Sequence, residues 1–422
     1  MGYSGGVDSH VLLHLLATRR RRLGYRELVA IYVDHGLNSA SAQWGIHCQS
    51  SCQALGVLFK TVQINARADL GDSPEAAARH ARYAAFAELL NENDALLTGH
   101  HQDDQAETLL IQLFRGAGPA GLAAMPVSAR LGRGWLWRPL LQAERTEILS
   151  YAHAHDLRWI SDVSNADQSL DRNYLRHTLL PQIKQRWPAV IRTLARSARL
   201  CAESIPLLNT LADEDLSVVS DAQADYLNIT ALRNLDEARQ RNLLKRWFQH
   251  LGLPPPSAIH LQHILHDAIA VYRDRQPLID WPGCEVRRYR DQLYAMKPLL
   301  SYDPQQTIVL SPAQSEWLMP AIGTVRGWFA QGQGLSLTKL ANAPLTLRLR
   351  QGGERLRPVG REQSQTLKKL FQNIDMPPWE RDRLPLLCVD DRLAAVVGVW
   401  VAADFAAVPD EQGFVVEFTP IR

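Results

Sequence analysis

The chain reads as an α/β protein. A doubly wound parallel sheet is expected at its N-terminal end, then a helical central domain and a small α+β C-terminal domain. Three observations predict this. Strand-like and helix-like segments alternate over roughly the first 190 residues, the pattern of a parallel sheet with helices on both faces. Ser4-Gly5-Gly6-Val7-Asp8-Ser9 is a tight turn followed at once by an apolar helical pattern. From about Ser197 the alternation gives way to mainly helical sequence, and from Leu345 to short mixed segments.

The elements follow in order. Val7, Val11, Leu12, Leu15 and Leu16 recur at helical spacing, so a helix with one buried face follows the glycines, and Asp8 and Ser9 are candidate caps. Leu28 to Val33 is continuously apolar, as in a parallel strand covered on both faces. A helix is expected over Ala40 to Leu55, stopped by Gly56, and a strand over Val57 to Ile64. Ser73-Pro74-Glu75 starts a helix that runs to about Leu90. Ala95 to Thr98 is a short strand and Asp103 to Phe114 a helix. Ligands of such a sheet sit at the carboxyl ends of the strands, where the glycine turn, Asp34 and His100-His101 all fall.

Further on, Asp236 to Leu251 is the clearest helix, closed by Gly252, and Glu285 to Met296 is strand-like. The stretch 301–343 reads as a loose connector. Leu345 to Arg350 alternates, Ser364 to Asn373 looks helical, and Leu393 to Val401 looks like one buried strand. The expected domains are residues 1–196, 197–300 and 344–422, with 301–343 between the last two.

At 422 residues, 46% apolar and 21% charged, the chain suits two or three ordinary domains. Its net charge of +2 excludes nothing, but charge is locally concentrated. Residues 171–200 carry seven basic side chains against one acid, and 345–383 nine against five. Such clusters suit a polyphosphate partner such as nucleic acid, or are solvated helix faces. Five scattered cysteines without a Cys-x-x-Cys pair fit a reducing, cytoplasmic compartment. The longest apolar run, Leu393 to Ala403, is too short to span a bilayer, and the N-terminus has no apolar signal region.

The chemistry lies in four clusters. Adjacent glycines let backbone approach a ligand closely, and the helix start behind them offers amides and a positive dipole end to an anion. No lysine follows, so this is not the Gly-Lys-Ser/Thr phosphate loop; a plain capped turn is the alternative. Asp34-His35-Gly36-Leu37 follows a buried strand, where a carboxylate can hold a metal ion or a substrate amine, or merely cap a loop. Gly99-His100-His101-Gln102-Asp103-Asp104-Gln105-Ala106-Glu107-Thr108 crowds two histidines and three acids at a strand-to-helix turn. Its spacing is poor for zinc but suits acid–base work by His101 oriented by Asp104; a well-capped helix start is the alternative. Arg172 and Arg176 lie one turn apart, placed to meet phosphates or to form surface ion pairs. Arg115 to Leu122 is a basic loop that either closes over a substrate or simply connects.

Ser-Gly-Gly-x-Asp-Ser resembles the signature of the PP-loop ATP pyrophosphatases, whose Rossmann-like domain cleaves ATP between its α- and β-phosphates. That pattern calls for a strand before the loop, and only Met1, Gly2 and Tyr3 precede it. Taken with Asp-His-Gly-Leu, Gly-His-His-x-Asp-Asp-x-x-Glu-Thr and Arg-Asn-x-x-Arg, the chain resembles the tRNA(Ile)-lysidine synthases. Gln365 to Phe371 and Met376 to Arg381 resemble that family's C-terminal domain. The resemblance covers nearly the whole chain and implies an ATP-dependent ligase. ATP adenylates the C2 oxygen of the wobble cytidine in the CAU anticodon of tRNA(Ile), and free L-lysine attacks C2 and displaces AMP. It implies that Ser4, Gly5, Gly6, Val7, Asp8 and Ser9 bind ATP, with Asp8 facing Mg2+. It places Asp34 near the lysine ammonium or the magnesium, gives His101 and Asp104 the adenylation and attack steps, and has Arg176 steady the adenylate or the RNA. A homodimer is compatible with it, and a membrane is not involved. Two alternatives stay open: a tRNA cytidine 2-thiolating enzyme, for which only Cys48 and Cys52 are close in sequence, and a non-catalytic tRNA-binding protein.

Overall fold

Apolar β-branched runs bury best at the centre of a sheet, and here they build its parallel core. The computed structural model describes residues 1–34, 41–64, 74–161, 167–220, 225–270, 277–311, 314–340 and 343–421. His35, Gly36, Leu37 and Ser73 lie outside the described residues. The chain divides into two units, Met1–Thr210 and Leu211–Arg422.

In the first unit, β1 (Val29–Asp34) pairs in parallel with β2 (Leu58–Gln63). β3 (Ala95–Leu97) pairs in parallel with β5 (Gly134–Trp137), and β4 (Ser128–Leu131) pairs antiparallel with β5. The two ladders meet at the lead-in residues. Tyr3 N–H donates to Ile31 O at 2.9 Å, Ile31 N–H to Met1 O at 2.8 Å, and Gly2 N–H to Leu97 O at 2.9 Å. Met1 to Tyr3 thus supply the pairing that the glycine turn requires, between β1 and β3. The order across this surface is β2, β1, residues 1–3, β3, β5, β4, and among the described residues only the edge strand β4 runs antiparallel.

Helices cover both faces. Leu12, Leu13 and Leu16 of α1 (Val7–Thr18), with Cys48 and Cys52, pack on Tyr3, Ala30 and Tyr32. Phe86 and Leu90 pack on Ile31, Leu96 and Leu136 of the opposite face. After α1 come α2 (Arg20–Leu23), α3 (Ser41–Ala54), α4 (Pro74–Glu88), α5 (Gln102–Phe114), α6 (Pro119–Leu122) and α7 (Arg145–Ala154). α8 (Asp171–Tyr174), a π-helical turn (Leu175–Leu179) and α9 (Leu180–Arg186) follow, then α10 (Val190–Val219). α1 departs from expectation in two ways. Its N-cap is Gly6, with Asp8 and Ser9 inside the first turn, because the Ser9 hydroxyl turns back to Gly6 O at 3.0 Å. It is also buried nearly all round, since Val7 and Val11 pack on Ile148 and Ala152 of α7 as well.

In the second unit, helices surround a four-stranded sheet of Tyr226–Asn228, Gln292–Met296, Cys284–Tyr289 and Leu278–Trp281, in that order. Trp247 and Phe248 of the helix Glu237–His250, capped by Asp236, are fully buried there. The stretch 301–343, expected as a loose connector, instead carries strands Thr307–Val309, Glu316–Met319 and Gly323–Gln331. Gly323–Gln331 pairs along its length with Gln412–Pro420, a partner too distant in sequence to be foreseen. Leu393 to Val401 is not one strand but two, Arg392–Val396 and Trp400–Val401, because Gly398 at φ 74° turns the chain. The helix expected from Ser364 begins at Leu367 with Thr366 as its cap, and Gln365–Thr366 pair with Arg355–Leu356 instead. Among the described residues, no helix is long and apolar enough to cross a membrane.

Candidate active site

The glycine turn is a built loop. Gly5 has φ 79°, and a Cβ there would meet Ile160 Cδ1 at 2.6 Å, so only glycine fits. Ile160 N–H donates to Gly5 O at 2.9 Å, and the Ser4 and Ser9 hydroxyls lie 3.1 Å apart. Gly99 faces the same turn: a Cβ on it would lie 2.9 Å from the Asp8 carbonyl. Beside these residues opens a cavity of 370 Å³ at the carboxyl ends of the strands. Ser4, Gly6, Asp8 and Ser9 line it on one side and Gly99, His100 and Asp104 on another. Gly5 and Val7 do not: Gly5 shapes the turn, and Val7 packs toward Ile148. First-turn amides of a helix have no partner within it, so this wall presents donors and a positive dipole end to an anion.

His101 and Asp104 form a reciprocal cap at the start of α5. The Asp104 carboxylate accepts His101 N–H at 3.0 Å, and His101 Nδ1 accepts Asp103 N–H at 3.2 Å. An Nδ1 that accepts leaves the proton of a neutral ring on Nε2. That atom stands 3.6 Å from Asp8 Oδ1 and 3.5 Å from Asp104 Oδ2, too far for a hydrogen bond to either. Asp8 Oδ1 and His101 Nε2 are both buried without a hydrogen-bond partner. Burial raises the Asp8 carboxyl above its ordinary range, an effect that His101 and Arg145 only partly offset. Burial also acts on Asp104, but His101, Arg172 and His100 with the His101 amide outweigh it, so Asp104 ends below the usual carboxylate range. One imidazole therefore lies between two carboxylates whose proton affinities are pushed apart.

Sequence reasoning gave Glu107 no part beyond the helix dipole, yet it anchors the neighbouring helices. It is fully buried and accepts from Arg172 Nε at 2.8 Å and from Arg176 Nε and Nη2 at 2.7 and 2.9 Å. Arg176 Nη2 also reaches Asp104 Oδ1 at 3.0 Å. Arg172 and Arg176 thus meet Glu107, three residues along α5 from the acid that carries the cap, and Arg176 meets that acid as well. His100 was placed at a strand end with His101 but was given no role of its own. It lines the cavity, Thr98 Oγ1 lies 2.8 Å from its Nδ1, and burial drives its pKa down to about 3, so it stays neutral. Arg79, Arg82 and Tyr83 on one face of α4 also line the cavity, with Tyr32, Trp44, Phe86 and Ile160; the i, i+3, i+4 spacing of the α4 three was the available signal. Asp34 closes β1, where its carbonyl accepts Ile64 N–H at 3.0 Å; its neighbour Val33 lines the cavity.

Much of the basic excess in 171–200 is neutralised in space. Lys184 pairs with Asp103, Arg192 with Glu144 and Arg199 with Glu203. In 345–383, Arg348 pairs with Glu354 and Arg357 with Asp404, while Lys368 and Lys369 are exposed. The loop after α5 is partly pinned, since the Gln105 side chain bonds the backbone of Met125 at 2.8 and 3.0 Å. Cys48 and Cys52 are fully buried among Leu12, Leu13 and Tyr3, and burial pushes their thiols up to about 12 and about 11.

Three family models match the chain: a PP-loop domain over residues 1–183, a TilS substrate binding domain over 227–294 and a TilS substrate C-terminal domain over 345–418. A tRNA(Ile)-lysidine synthase of Methylococcus capsulatus is 42% identical over 422 residues, covering 100% of this chain and 96% of its own. One from Coxiella burnetii is 40% identical over 420 residues, covering 100% and 93%. The solved U34-tRNA thiolase NcsA from Methanococcus maripaludis aligns with 48% of this chain and 70% of its own, at 21% identity and a TM-score of 0.40, a likeness too slight to argue from.

Proposed function

The chain belongs to the tRNA(Ile)-lysidine synthase family, and on that premise we propose how its cavity performs the reaction. The activity is that of an ATP-dependent ligase forming lysidine in tRNA(Ile). The observation that carries the residue assignment is that Ser4, Gly6, Asp8 and Ser9 of the glycine turn and Asp104 line one 370 Å³ cavity, with His101 Nε2 buried behind them 3.6 Å from Asp8 Oδ1.

The phosphates of ATP lie against Ser4, Gly6 and the first-turn amides of α1, where fixed donors meet the charge that develops on pyrophosphate. Among the described residues, no group of three or more His, Cys, Asp or Glu side chains is placed to hold a metal ion. A magnesium ion asks for less: one or two carboxylates beside substrate phosphates. The unpartnered Asp8 oxygen fits that need. Bound there, Mg2+ supplies charge neutralisation at the phosphates. His101, buried behind the cavity wall, holds Nε2–H toward Asp8 and Asp104 and so supports the Asp8 carboxylate, in the tautomer set by the Asp103 amide. Asp104, kept ionised by its cationic neighbours, fixes the ring. Asp34 receives the lysine ammonium, and the amine attacks only once it has lost its proton. Arg176, locked to Glu107, holds Asp104 in register at the cavity wall.

The test is incubation of the full chain with tRNA(Ile) bearing a CAU anticodon, ATP, Mg2+ and labelled lysine, followed by nucleoside analysis. Label retained in the wobble cytidine, with one pyrophosphate released per lysine, is the expected result. Absence of pyrophosphate release with all substrates present would sink the assignment. Sulfur transfer is disfavoured by a specific observation: Cys48 and Cys52 are sealed in the core, away from solvent.

A further inference from the structure

The β4–β5 hairpin carries a feature that the reaction has not used. Side chains alternate along β5: Leu136 is 5% exposed and packs inward, whereas Trp135 and Trp137 are 39% and 48% exposed on the other face. Large indoles are rarely left open on a sheet face without a partner. Their neighbours across the ladder are Arg130 opposite Trp135 and the small Ser128 opposite Trp137. The Arg130 guanidinium carbon lies 4.6 Å from the Trp135 ring centroid. Residues 127–138 hold three arginines and no acid. Arg138 turns inward to Pro126 O at 2.7 Å, which leaves Arg130 and Arg133 as the outward charges.

Resting on the functional reading above, the geometry points to this face as a stacking platform for an unpaired base of the substrate RNA, beside the base being modified. Three arguments select RNA. Residues i and i+2 of a strand stand about 7 Å apart, roughly the gap that admits one planar base between two rings. Positive charge on a hairpin that carries no acid of its own complements phosphate, and aromatic rings flanked by guanidinium are a common seat for single-stranded bases. The platform also adjoins the cavity: Thr98 N–H donates to Trp137 O at 3.0 Å, and Thr98, Gly99 and His100 are cavity wall. A loop that presents one base to the cavity brings the next within reach of Trp137.

The experiment uses the full chain, its Trp135→Ala, Trp137→Ala and double variants, and Trp137→Phe. RNA is an anticodon stem-loop of tRNA(Ile) with 2-aminopurine next to the wobble position. The wild type is expected to quench the 2-aminopurine on binding. Each alanine variant weakens RNA affinity and raises the RNA KM by about 5- to 100-fold, with kcat at saturating RNA retained. The quench is lost in the double variant, and Trp137→Phe restores much of it. Unchanged affinity, KM and quench in the double variant, with its circular dichroism and melting intact, overturn the proposal. So does a shift in oligomeric state with RNA affinity unchanged, which would give this face to a second copy of the chain. A wild type that binds and quenches but never transfers lysine would fault the functional reading and leave the platform standing.

Discussion

Gly99→Ala is the sharpest probe of the nucleotide site, because it adds one methyl group at a place with no room for it. The new Cβ would lie 2.9 Å from the carbonyl carbon and oxygen of Asp8 and 3.0 Å from Ser9 N, whereas ordinary contact begins at 3.4 Å. The shortfall is about 0.5 Å. The atoms struck are backbone in the first turn of α1, a helix packed on both sides by Leu12, Leu13 and Val11, so they cannot swing away. The turn must shift as a body, carrying Asp8 with it. A 1 Å misplacement of reacting groups costs on the order of 100-fold in rate, so half that displacement should cost roughly tenfold, about 1.4 kcal/mol at the barrier. Overpacking itself should cost about 1–3 kcal/mol of stability. The assay is single-turnover pyrophosphate release at saturating RNA and lysine, with ATP titrated, alongside RNA affinity and a melting curve. The expected result is a slower step and a raised ATP requirement with RNA affinity within about twofold of wild type. Unaltered release would show that Gly99 does not set the position of the turn. An equal loss of RNA affinity would show that the two surfaces are not separate.

Glu107→Gln removes the charge that three short Arg172 and Arg176 bonds satisfy. Since those guanidinium groups are 22% and 25% exposed, water offsets part of the loss, and about 2–3 kcal/mol of destabilisation is expected by urea titration; under about 1 kcal/mol would show the cluster is not a structural anchor. His10 is buried against the Tyr3 hydroxyl, and burial, then His47 and His14, bring its pKa down to about 4 from 6.5. Its folded form resists protonation, so its stabilising effect is whole above pH 6.5 and is lost as pH falls from 6.5 toward 4, by up to about 3 kcal/mol. His10→Gln should flatten the stability–pH curve across that window, and an unchanged slope would refute the effect. Lys368→Ala with Lys369→Ala should reduce the salt dependence of RNA binding by about one unit for each phosphate no longer neutralised, and an unchanged slope would place both lysines in bulk solvent.

The sequence exposed the local parts of the site and hid the long-range ones. The glycine turn, the strands and the reciprocal His101–Asp104 cap depend on residues within a few positions of each other, where spacing alone is informative. The three-apart spacing of His101 and Asp104 pointed to a shared side, and the structure adds that Asp8 reaches the same imidazole. Glu107 gave no such signal, because its partners Arg172 and Arg176 lie 65 and 69 residues away. Local charge misled for the same reason: Lys184 and Arg192 look unopposed in sequence but meet Asp103 and Glu144. The helical pattern of α1 showed only the apolar face toward the sheet, since the second face is made by α7, which no periodicity within α1 reveals.

Three lead-in residues join the two halves of the first sheet and then become the phosphate turn. The strand that ties Ile31 to Leu97 and the loop that meets the nucleotide are one uninterrupted stretch of backbone. The sheet and the pocket therefore draw on the same residues for their closure. Nucleotide in excess should therefore protect the whole N-terminal unit from unfolding rather than the loop alone.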